Sequence, residues 1–468
     1  MKTYSNYILL LLLLVITGCK VSKDVEVPQP ELPQAYRNAF ATDTATIADI
    51  EWKNFFPDPN LQELIGRAVS GNYDLQIALK NIESAQLLLR QSKWGQVPQA
   101  SLFVNASTSI PSQNSLNGLS LNNFLGTSHI EDYSAGGSLS WEADIWGKIS
   151  SRKKEALANY LKTEEAKKAI QANIVSTVAQ GYYNLLMLDA QLDIAIKNRT
   201  LSENTVNMVT RQFDAGQVSH LGVEQAEAQR LRAAQIVPQL EKEITIQENA
   251  LSILTGTLPA EIVRGKGLAT QLHQSLPTGL PATILSHRPD IKALEYELNA
   301  ANARVGIAKA FMYPALNITA TGGLNSFKAD NWFNMPASLF GLVAGSLTQP
   351  LLQGRKLKTQ YEIAKTEREK AVLAFRQQVL VAVGEVSNAL VEIEKLQEEV
   401  TFATQRVDNL QRAVSNADKL FASGLANYLE VITAQGNVLQ SELELAAVKR
   451  NQMSAEVRLY KSLGGGWK

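Results

Sequence analysis

The chain has 468 residues, of which 45% are hydrophobic and 19% are charged, an ordinary balance for a folded protein. Its 45 lysines and arginines equal its 45 aspartates and glutamates, so the formal net charge is zero. Zero net charge argues against a nucleic-acid partner, because binding to phosphates requires an excess or a stripe of basic side chains. The single cysteine excludes an intramolecular disulfide.

The first 19 residues have the pattern of a lipoprotein signal. Lys2 precedes an apolar stretch from Ile8 to Ile16, which is too short for a spanning helix. The next residues, Thr17-Gly18-Cys19, complete a motif that resembles a bacterial lipobox. We therefore expect residues 1–18 to be a signal peptide and Cys19 to carry a covalent lipid, with no other cofactor. The alternative is an ordinary signal peptide with a chance cysteine.

Residues 19–58 are expected to form a lipidated N-terminal tether. Three prolines, Pro28, Pro30 and Pro33, punctuate this segment, and its apolar residues follow no period. Further along the chain no apolar stretch reaches the length of a transmembrane helix. A membrane crossing would therefore have to use strands.

The remainder of the chain contains one sequence pattern twice. Four residues recur at a common offset of 216 (290 − 74): Asp74, Ala85, Lys93 and Pro98 match Asp290, Ala301, Lys309 and Pro314. A later segment, Phe213–Gly216, recurs as Phe421–Gly424 at an offset of 208 (424 − 216). We therefore predict a first repeat over 59–256, a linker over 257–284, a second repeat over 285–464 and a tail over 465–468.

Each repeat is expected to hold a helix, two strands, a long helix, a glycine turn and a return helix. The first helix is predicted from Leu61 to Trp94, and its counterpart from Pro289 to Tyr313. The Ser/Asn/Gly-rich residues 105–130 are interpreted as a loop. The long helices are predicted from Gly147 to Gly216 and from Gly354 to Gly424.

The second long helix has the clearest periodicity in the chain. Its apolar residues repeat every seven positions, and small or apolar residues follow three positions later, which is an a/d heptad seam. The a positions are Val372, Val379, Val386, Ile393, Val400, Val407, Val414 and Phe421, and the d positions are Phe375, Ala382, Ala389, Leu396, Ala403, Leu410 and Ala417. At 1.5 Å per residue such a helix spans roughly 100 Å, which indicates a rod or a tube wall.

The return helices are predicted to begin just after the glycine turns and to end near Gly256 and Gly464. Ser219 and Asn427 stand where each return helix begins and are the N-cap candidates.

Four segments of about 10 residues are predicted to form strands. Residues 133–144 alternate between apolar and polar, and so do the segments that begin at Leu102 and Leu316. The fourth segment, Ser338 to Thr348, is apolar on both faces. A soluble sandwich also alternates, but four strands are too few for two layers. Four strands cannot close a barrel either, and an open edge in lipid leaves backbone groups unpaired, so we expect several copies to complete one barrel.

Six segments together resemble the TolC-like outer-membrane efflux family, specifically its NodT/OprM-type lipoprotein branch. They are Trp141–Lys148, His287–Asp290, Lys309–Pro314, the two Phe-x-x-Gly turns and the C-terminal Leu459–Trp467. The resemblance implies a mainly α-helical chain with a membrane β-barrel. Long antiparallel coiled coils would form an α-barrel, and four β-strands per subunit would complete a 12-strand barrel in a homotrimer.

The same resemblance implies a function. The chain would be the outer-membrane exit duct of a tripartite efflux system, lipid-anchored in the cell outer membrane with a periplasmic helical domain. Its partners would be a periplasmic adaptor (membrane fusion protein) and an inner-membrane transporter of the resistance-nodulation-division (RND) type. Heavy-metal export and type I protein secretion remain alternatives, because the partners largely set the cargo.

Two kinds of site residue follow from the resemblance. Leu429, Glu430 and Thr433 match the positions at which the family's helical tunnel narrows. A threefold ring of Glu430 would then attract cations, although Glu430 is equally explained as a first-turn acid favoured by the helix dipole. The glycine turns would dock the adaptor through four residues: Gly216, Gln217, Gly424 and Leu425. A glycine there also serves as a plain helix stop.

An enzyme is the main competing class. We find no second histidine or carboxylate at metal-ligand spacing from any of the four histidines, His129, His220, His273 and His287. The sequence also contains no C-x-x-C pair and no phosphate-binding glycine motif. We therefore expect neither catalysis nor a metal site. A copper exporter would require clustered methionine and histidine ligands, whereas the six methionines are scattered.

Overall fold

A computed structural model describes residues 32–37, 46–265, 268 and 276–468. The expectations for the signal peptide and for Cys19 lie outside these residues. The chain divides into two compact units. Among the described residues, the first contains 83–161 and 295–373, and the second contains those within 29–82, 162–294 and 374–468. In the part of the chain that is described, no helix has the length and apolarity needed to cross a bilayer.

The first unit contains a four-stranded antiparallel sheet in the order β1-β2-β3-β4. The strands are β1 (Gln99–Ser109), β2 (Ile130–Ala143), β3 (Ala315–Ser326) and β4 (Leu339–Thr348). The register is continuous, since Leu102 lies opposite Gly137, Gly137 opposite Gly322, and Gly322 opposite Gly341. The four predicted strands are confirmed, and β1 and β4 form the two edges of this sheet.

The register places most of the apolar residues of the strands on one face of the sheet. Residues directly opposite one another share a face. Leu316 on β3, for example, lies between Ala143 and Leu347. The face so formed consists of Ala100, Leu102, Val104, Ala106, Tyr133, Ala135, Leu139, Trp141, Leu316, Ile318, Ala320, Leu324, Leu339, Val343 and Leu347. We call it the apolar face, and the opposite one the polar face.

The described helices of four or more residues are labelled in chain order. They are α1 (Trp52–Phe55), α2 (Pro59–Gly71), α3 (Tyr73–Lys93), α4 (Leu116–Leu125), α5 (Lys148–Asp214), α6 (His220–Leu254), α7 (Ile284–His287), α8 (Pro289–Ala310), α9 (Lys356–Ala422) and α10 (Tyr428–Ser462). The two long helices and the two return helices lie where the sequence predicts them, and all four end within two residues of the predicted glycines.

One predicted helix is wrong, because the segment from Leu61 to Trp94 forms two helices. The chain breaks at Asn72, whose backbone is extended (ψ 129°). Asn72 Oδ1 accepts hydrogen bonds from the N–H groups of Asp74 (2.9 Å) and Leu75 (3.3 Å), so it caps α3. Asn72 Nδ2 also donates to the Leu254 carbonyl (3.0 Å). That partner is 182 residues away in sequence, which explains why the local pattern did not show the break.

The predicted loop over residues 105–130 is also wrong in part. β1 extends to Ser109, and a ten-residue helix, α4, follows. Ser115 caps α4 by accepting from the Gly118 N–H (3.2 Å), and Gly126 ends it in the left-handed region (φ +65°). This N-cap and C-cap pair was the signal in the sequence, and the Ser/Asn/Gly composition concealed it.

The heptad seam of α9 is confirmed by burial. None of its a and d side chains is exposed, and Val386 and Ala382 are completely buried. Large apolar residues off the seam, such as Leu380 and Phe402, are exposed on the same helix. The seam therefore marks the side of α9 that packs within the chain.

The core of the second unit includes the C-terminal end of α10. Tyr460 stacks on Phe55 with ring centroids 4.0 Å apart, and its hydroxyl donates to the Ile50 carbonyl (2.5 Å). Burial raises the pKa of Tyr460 to about 12. The Gly-Gly-Gly-Trp segment then turns back, so that Trp467 Nε1 donates to the His287 carbonyl (3.3 Å). Gly464 (φ +101°) is required here, since a Cβ would lie 2.6 Å from the same carbonyl.

Candidate constriction and docking turns

The two glycine turns have the same backbone geometry. Gly216 (φ +72°) and Gly424 (φ +73°) are both in the left-handed region, which glycine adopts without steric cost. The N–H of the next residue bonds to the carbonyl five residues earlier, from Gln217 to Gln212 (2.8 Å) and from Leu425 to Leu420 (2.9 Å). This is the Schellman arrangement that ends a helix. The structure therefore confirms a helix stop at each turn.

The turns expose the residues that were predicted to dock an adaptor. Gly216, Gln217, Gly424 and Leu425 are all exposed, and Leu425 retains 77% of its accessible surface. A Cβ at either glycine would meet nothing within 4 Å, so the backbone angle and not the available space selects glycine.

The N-cap candidates behave differently from each other. Asn427 Oδ1 accepts from the N–H groups of Leu429 (2.9 Å) and Glu430 (3.1 Å), as predicted for a capping side chain. Ser219 occupies the N-cap position of α6, but its side chain makes no capping hydrogen bond. Ser219 therefore occupies the predicted N-cap position but lacks the side-chain hydrogen bond of a capping residue.

The structure places the three candidate constriction residues together at the start of α10. Leu429, Glu430 and Thr433 are all exposed. Leu429 and Thr433 are four residues apart and so share one side of the helix, with Glu430 next to them. Glu430 lies in the first turn, where the helix dipole favours a carboxylate. This arrangement suits both interpretations of Glu430.

Sequence reasoning missed the contacts that join the two turns. Tyr428 hydroxyl donates to Gln225 Oε1 on α6 (2.9 Å). Gly222 is buried against the Tyr428 ring, because a Cβ there would lie 3.0 Å from ring carbon Cε1. Beneath them, four buried residues form an apolar cluster: Val209, Ala226, Phe421 and Val431. The ends of α5, α6, α9 and α10 are therefore packed as one body.

A buried polar pair lies further along α10 and was also missed. Gln435 is completely buried, and its Nε2 donates to Thr205 Oγ1 on α5 (2.9 Å). Thr205 hydroxyl can in turn donate to the Leu201 carbonyl (3.1 Å). Because a buried amide without a partner is costly, this pair fixes the register of α10 against α5.

Two histidines have carboxylate neighbours, contrary to our sequence analysis. Glu224 Oε1 lies 3.4 Å from His220 Nδ1, four residues along the same helix. Asp49 Oδ1 lies 3.1 Å from His287 Nε2 and also contacts Lys468 Nζ (2.6 Å). Each is a pair only: within the described residues no group of three or more His, Cys, Asp or Glu side chains could hold a metal ion.

The family model described as outer membrane efflux protein matches residues 64–257 and 280–465. The exposed apolar sheet face, the two long helices and the paired helical turns agree with this match, which assigns the chain to a family. It belongs to the outer membrane efflux protein family. Members of this family are channel components of efflux systems.

Three similar proteins illustrate the family. The solvent efflux pump outer membrane protein SrpC of Pseudomonas putida is 30% identical over 464 residues, which cover 97% of each chain. The cation efflux system protein CusC of Escherichia coli is 28% identical, again with 97% of each chain covered. The crystal structure of the open state of the Neisseria gonorrhoeae MtrE outer membrane channel is 25% identical, with a TM-score of 0.85 and with 96% of this chain and 99% of that chain covered.

Proposed function

We propose that this chain is the outer-membrane exit duct of a tripartite efflux system. As a passive homotrimer it would conduct drugs or other small solutes from the periplasm and an inner-membrane pump to the exterior, without catalysis of its own. The pump would supply the energy, and the duct would only open and close.

The two faces of the sheet carry this proposal. Leu102, Val104 and Val343 on the apolar face keep 91%, 73% and 78% of their surface exposed, which only lipid would solvate well. On the polar face, side chains such as Ser101, Ser138, Asn317 and Thr321 suit a water-filled passage. A sheet with lipid on one side and water on the other is a segment of a barrel wall.

The edges of the same sheet require further copies. β1 and β4 each have one side without a strand partner in the described chain. In hydrocarbon every unpaired backbone group costs several kcal/mol, so β4 of one copy would pair with β1 of the next. Three copies would give 12 strands, a number within the known range of membrane barrels.

The helical turns supply the proposed contacts in the periplasm. The exposed turns at Gly216 and Gly424, with Gln217 and Leu425, would receive a periplasmic adaptor that links the duct to an RND-type transporter. Leu429, Glu430 and Thr433 would line the narrowest part of the tunnel. Cys19 would carry the covalent lipid that anchors the mature N-terminus in the outer membrane.

Mass and conductance measurements on one preparation test the proposal. Full-length chain, purified from outer membranes in mild detergent, should have three times the protomer mass by native mass spectrometry. It should also form ion-conducting channels in planar bilayers. A monomer that never conducts would refute the duct, whereas a conducting assembly of another size would refute only the subunit number.

The lipid anchor needs a separate test. Cells grown with labelled palmitate should incorporate label into the wild-type protein and none into a Cys19→Ser variant. Equal labelling of both proteins would show that Cys19 is not the modified residue.

A further inference from the structure

On one strand, β4, the polar face of the sheet carries apolar side chains. Phe340, Leu342 and Ala344 on β4 lie opposite Gly323, Thr321 and Thr319 of β3, and therefore on the polar face. The sequence analysis had noted only that this strand is apolar on both sides. Leu342 keeps 63% of its surface exposed there.

A second aromatic residue lies in the same row as Phe340. Phe103 on β1 is opposite Gly136, Gly136 is opposite Gly323, and Gly323 is opposite Phe340. The row therefore reads Phe-Gly-Gly-Phe across the sheet, and with strands about 4.8 Å apart its ends are roughly 14 Å apart. Both phenylalanines are half-buried, although the adjacent Leu102 and Leu342 are exposed.

The two glycines mark a crease toward the polar face. A Cβ on Gly136 would lie 2.4 Å from the Gly322 carbonyl oxygen, and one on Gly323 would lie 2.1 Å from the Ala135 carbonyl oxygen. On the apolar face, a Cβ on the neighbouring Gly137 or Gly322 would meet nothing closer than 3.6 Å and 3.5 Å. The backbone therefore curls so that the polar face is concave and the phenylalanines flank a floor without side chains.

The two rows that adjoin this one carry no charged side chain, and Asp132 lies one row further on, opposite Ser107. The adjoining row holds Ser101, Ser138 and Thr321, and the two serine hydroxyls are hydrogen-bonded to each other (2.7 Å). The row on the other side holds Asn105, Ser134 and Asn325. A concave floor without side chains, between two aromatic rings and rimmed by neutral hydroxyl and amide groups, favours an uncharged ring over an ion.

We propose that Phe103 and Phe340, together with Leu342, form a contact site for uncharged aromatic solutes on the concave face of the sheet. The proposal rests on the duct function above, because in a duct this face meets the cargo. Lipid contacts the other face, and neighbouring copies pair through the edges. A dissolved solute is therefore the occupant that can reach the row.

Edge-to-edge pairing would extend the site. Since Phe340 lies on edge strand β4 and Phe103 on edge strand β1, pairing brings Phe340 of one copy beside the strand that carries Phe103 in the next. Aromatic side chains would then recur around the passage, separated by the glycine crease of each copy.

The test uses 1-naphthol as the probe and glucose as a polar control. Channels of the wild-type protein and of a Phe103→Ala/Phe340→Ala variant are compared in planar bilayers, with Leu102→Ala, on the opposite face, as the matched control. We expect 1-naphthol to reduce the wild-type and Leu102→Ala currents alike. The double variant should need roughly tenfold more 1-naphthol for the same reduction, since two aromatic contacts are lost. Glucose should affect none of them.

A binding measurement separates this inference from the duct itself. Saturation-transfer NMR on each protein in lipid nanodiscs should show 1-naphthol contacts that the double variant loses and Leu102→Ala retains. Equal binding and equal block in all three proteins would overturn the site. A double variant with a lower melting temperature but unchanged binding and block would overturn it too. Binding lost in the double variant, with no conductance in any protein, would support the site and refute the duct.

Discussion

Arg288 is a buried residue of the second unit with three polar partners. Its guanidinium pairs with Asp290 (2.6 Å) and with Glu385 (2.5 Å), and it donates to the Ser462 carbonyl (3.1 Å). The group is almost completely buried, and removing it would leave the half-buried carboxylate of Asp290 without its cation. The motif His287–Asp290 thus has a structural role, to join the start of α8 to α9 and to the end of α10.

Asp290 should make the stability of the protein depend on pH. Burial opposes ionisation of this carboxyl, but hydrogen bonds from Arg288 and Gln378 outweigh it, so its pKa is lowered. A lowered pKa stabilises the fold above the unfolded value of about 3.9, and this stabilisation is lost as the pH falls through the folded pKa. We expect Asp290→Asn to lower the melting temperature at pH 7. Below pH 4 the melting temperature of this variant should decrease less steeply with falling pH than that of the wild type.

Circular dichroism at 222 nm between pH 3 and pH 7 measures this effect. The matched control is Asp74→Asn, the same position in the first repeat, because Asp74 is exposed. If both variants melt like the wild type across the range, the ion pair contributes nothing.

Glu430 allows a direct choice between its two interpretations. If three Glu430 carboxylates meet in the tunnel, Glu430→Gln should reduce the cation preference of single channels, measured as the reversal potential in a KCl gradient. The control is Glu224→Gln, an exposed acid near the start of the other return helix, which should leave the preference unchanged. An unchanged reversal potential in Glu430→Gln would leave only the helix-dipole role.

Among the elements, the two return helices offer a matched pair of caps. Asn427→Ala removes two capping hydrogen bonds from α10 and should cost about 1 kcal/mol, which would appear as faster amide exchange over residues 428–431. Ser219→Ala removes a side chain that makes no capping bond and should change the exchange of α6 little. Equal effects in the two helices would contradict the capping geometry.

Periodic elements were predictable from the sequence, whereas breaks within helices were not. The seam of α9 and the alternation of β2 repeat over several periods, so that single exceptions do not hide them. The break at Asn72 depends on one side chain and on a carbonyl in α6. The inserted helix α4 is short, and its composition is typical of a loop. A local pattern is a weak guide where one contact decides the structure.

At the scale of the whole molecule, the two faces of the sheet should respond differently to charge. Val104→Lys places an ammonium on the apolar face and should cost about 2–4 kcal/mol in a bilayer, which would reduce the assembled, heat-resistant oligomer in membranes. Asn105→Lys places the same group on the polar face and should leave the oligomer intact. Equal amounts of oligomer, quantified on gels of isolated outer membranes, would show that β1 does not face lipid.

The sequence by itself determined the elements with a repeated signal. These are the long helices with their heptad seam, the four strands and the glycine turns, as well as the family to which the chain belongs. Each depends on residues close in sequence, or on motifs read in order, so the pattern is present before the chain folds. The candidate positions Leu429, Glu430 and Thr433 came from the same motifs.

Only the tertiary structure decided which distant residues meet. The pairing of Gln435 with Thr205, the contact of Tyr428 with Gly222, and the row from Phe103 to Phe340 join segments about 200 residues apart or more. Such contacts are fixed by strand register and by the packing of one helix on another. The observed register and packing minimise unpaired buried polar groups and voids across the whole fold, and no local run of residues encodes them.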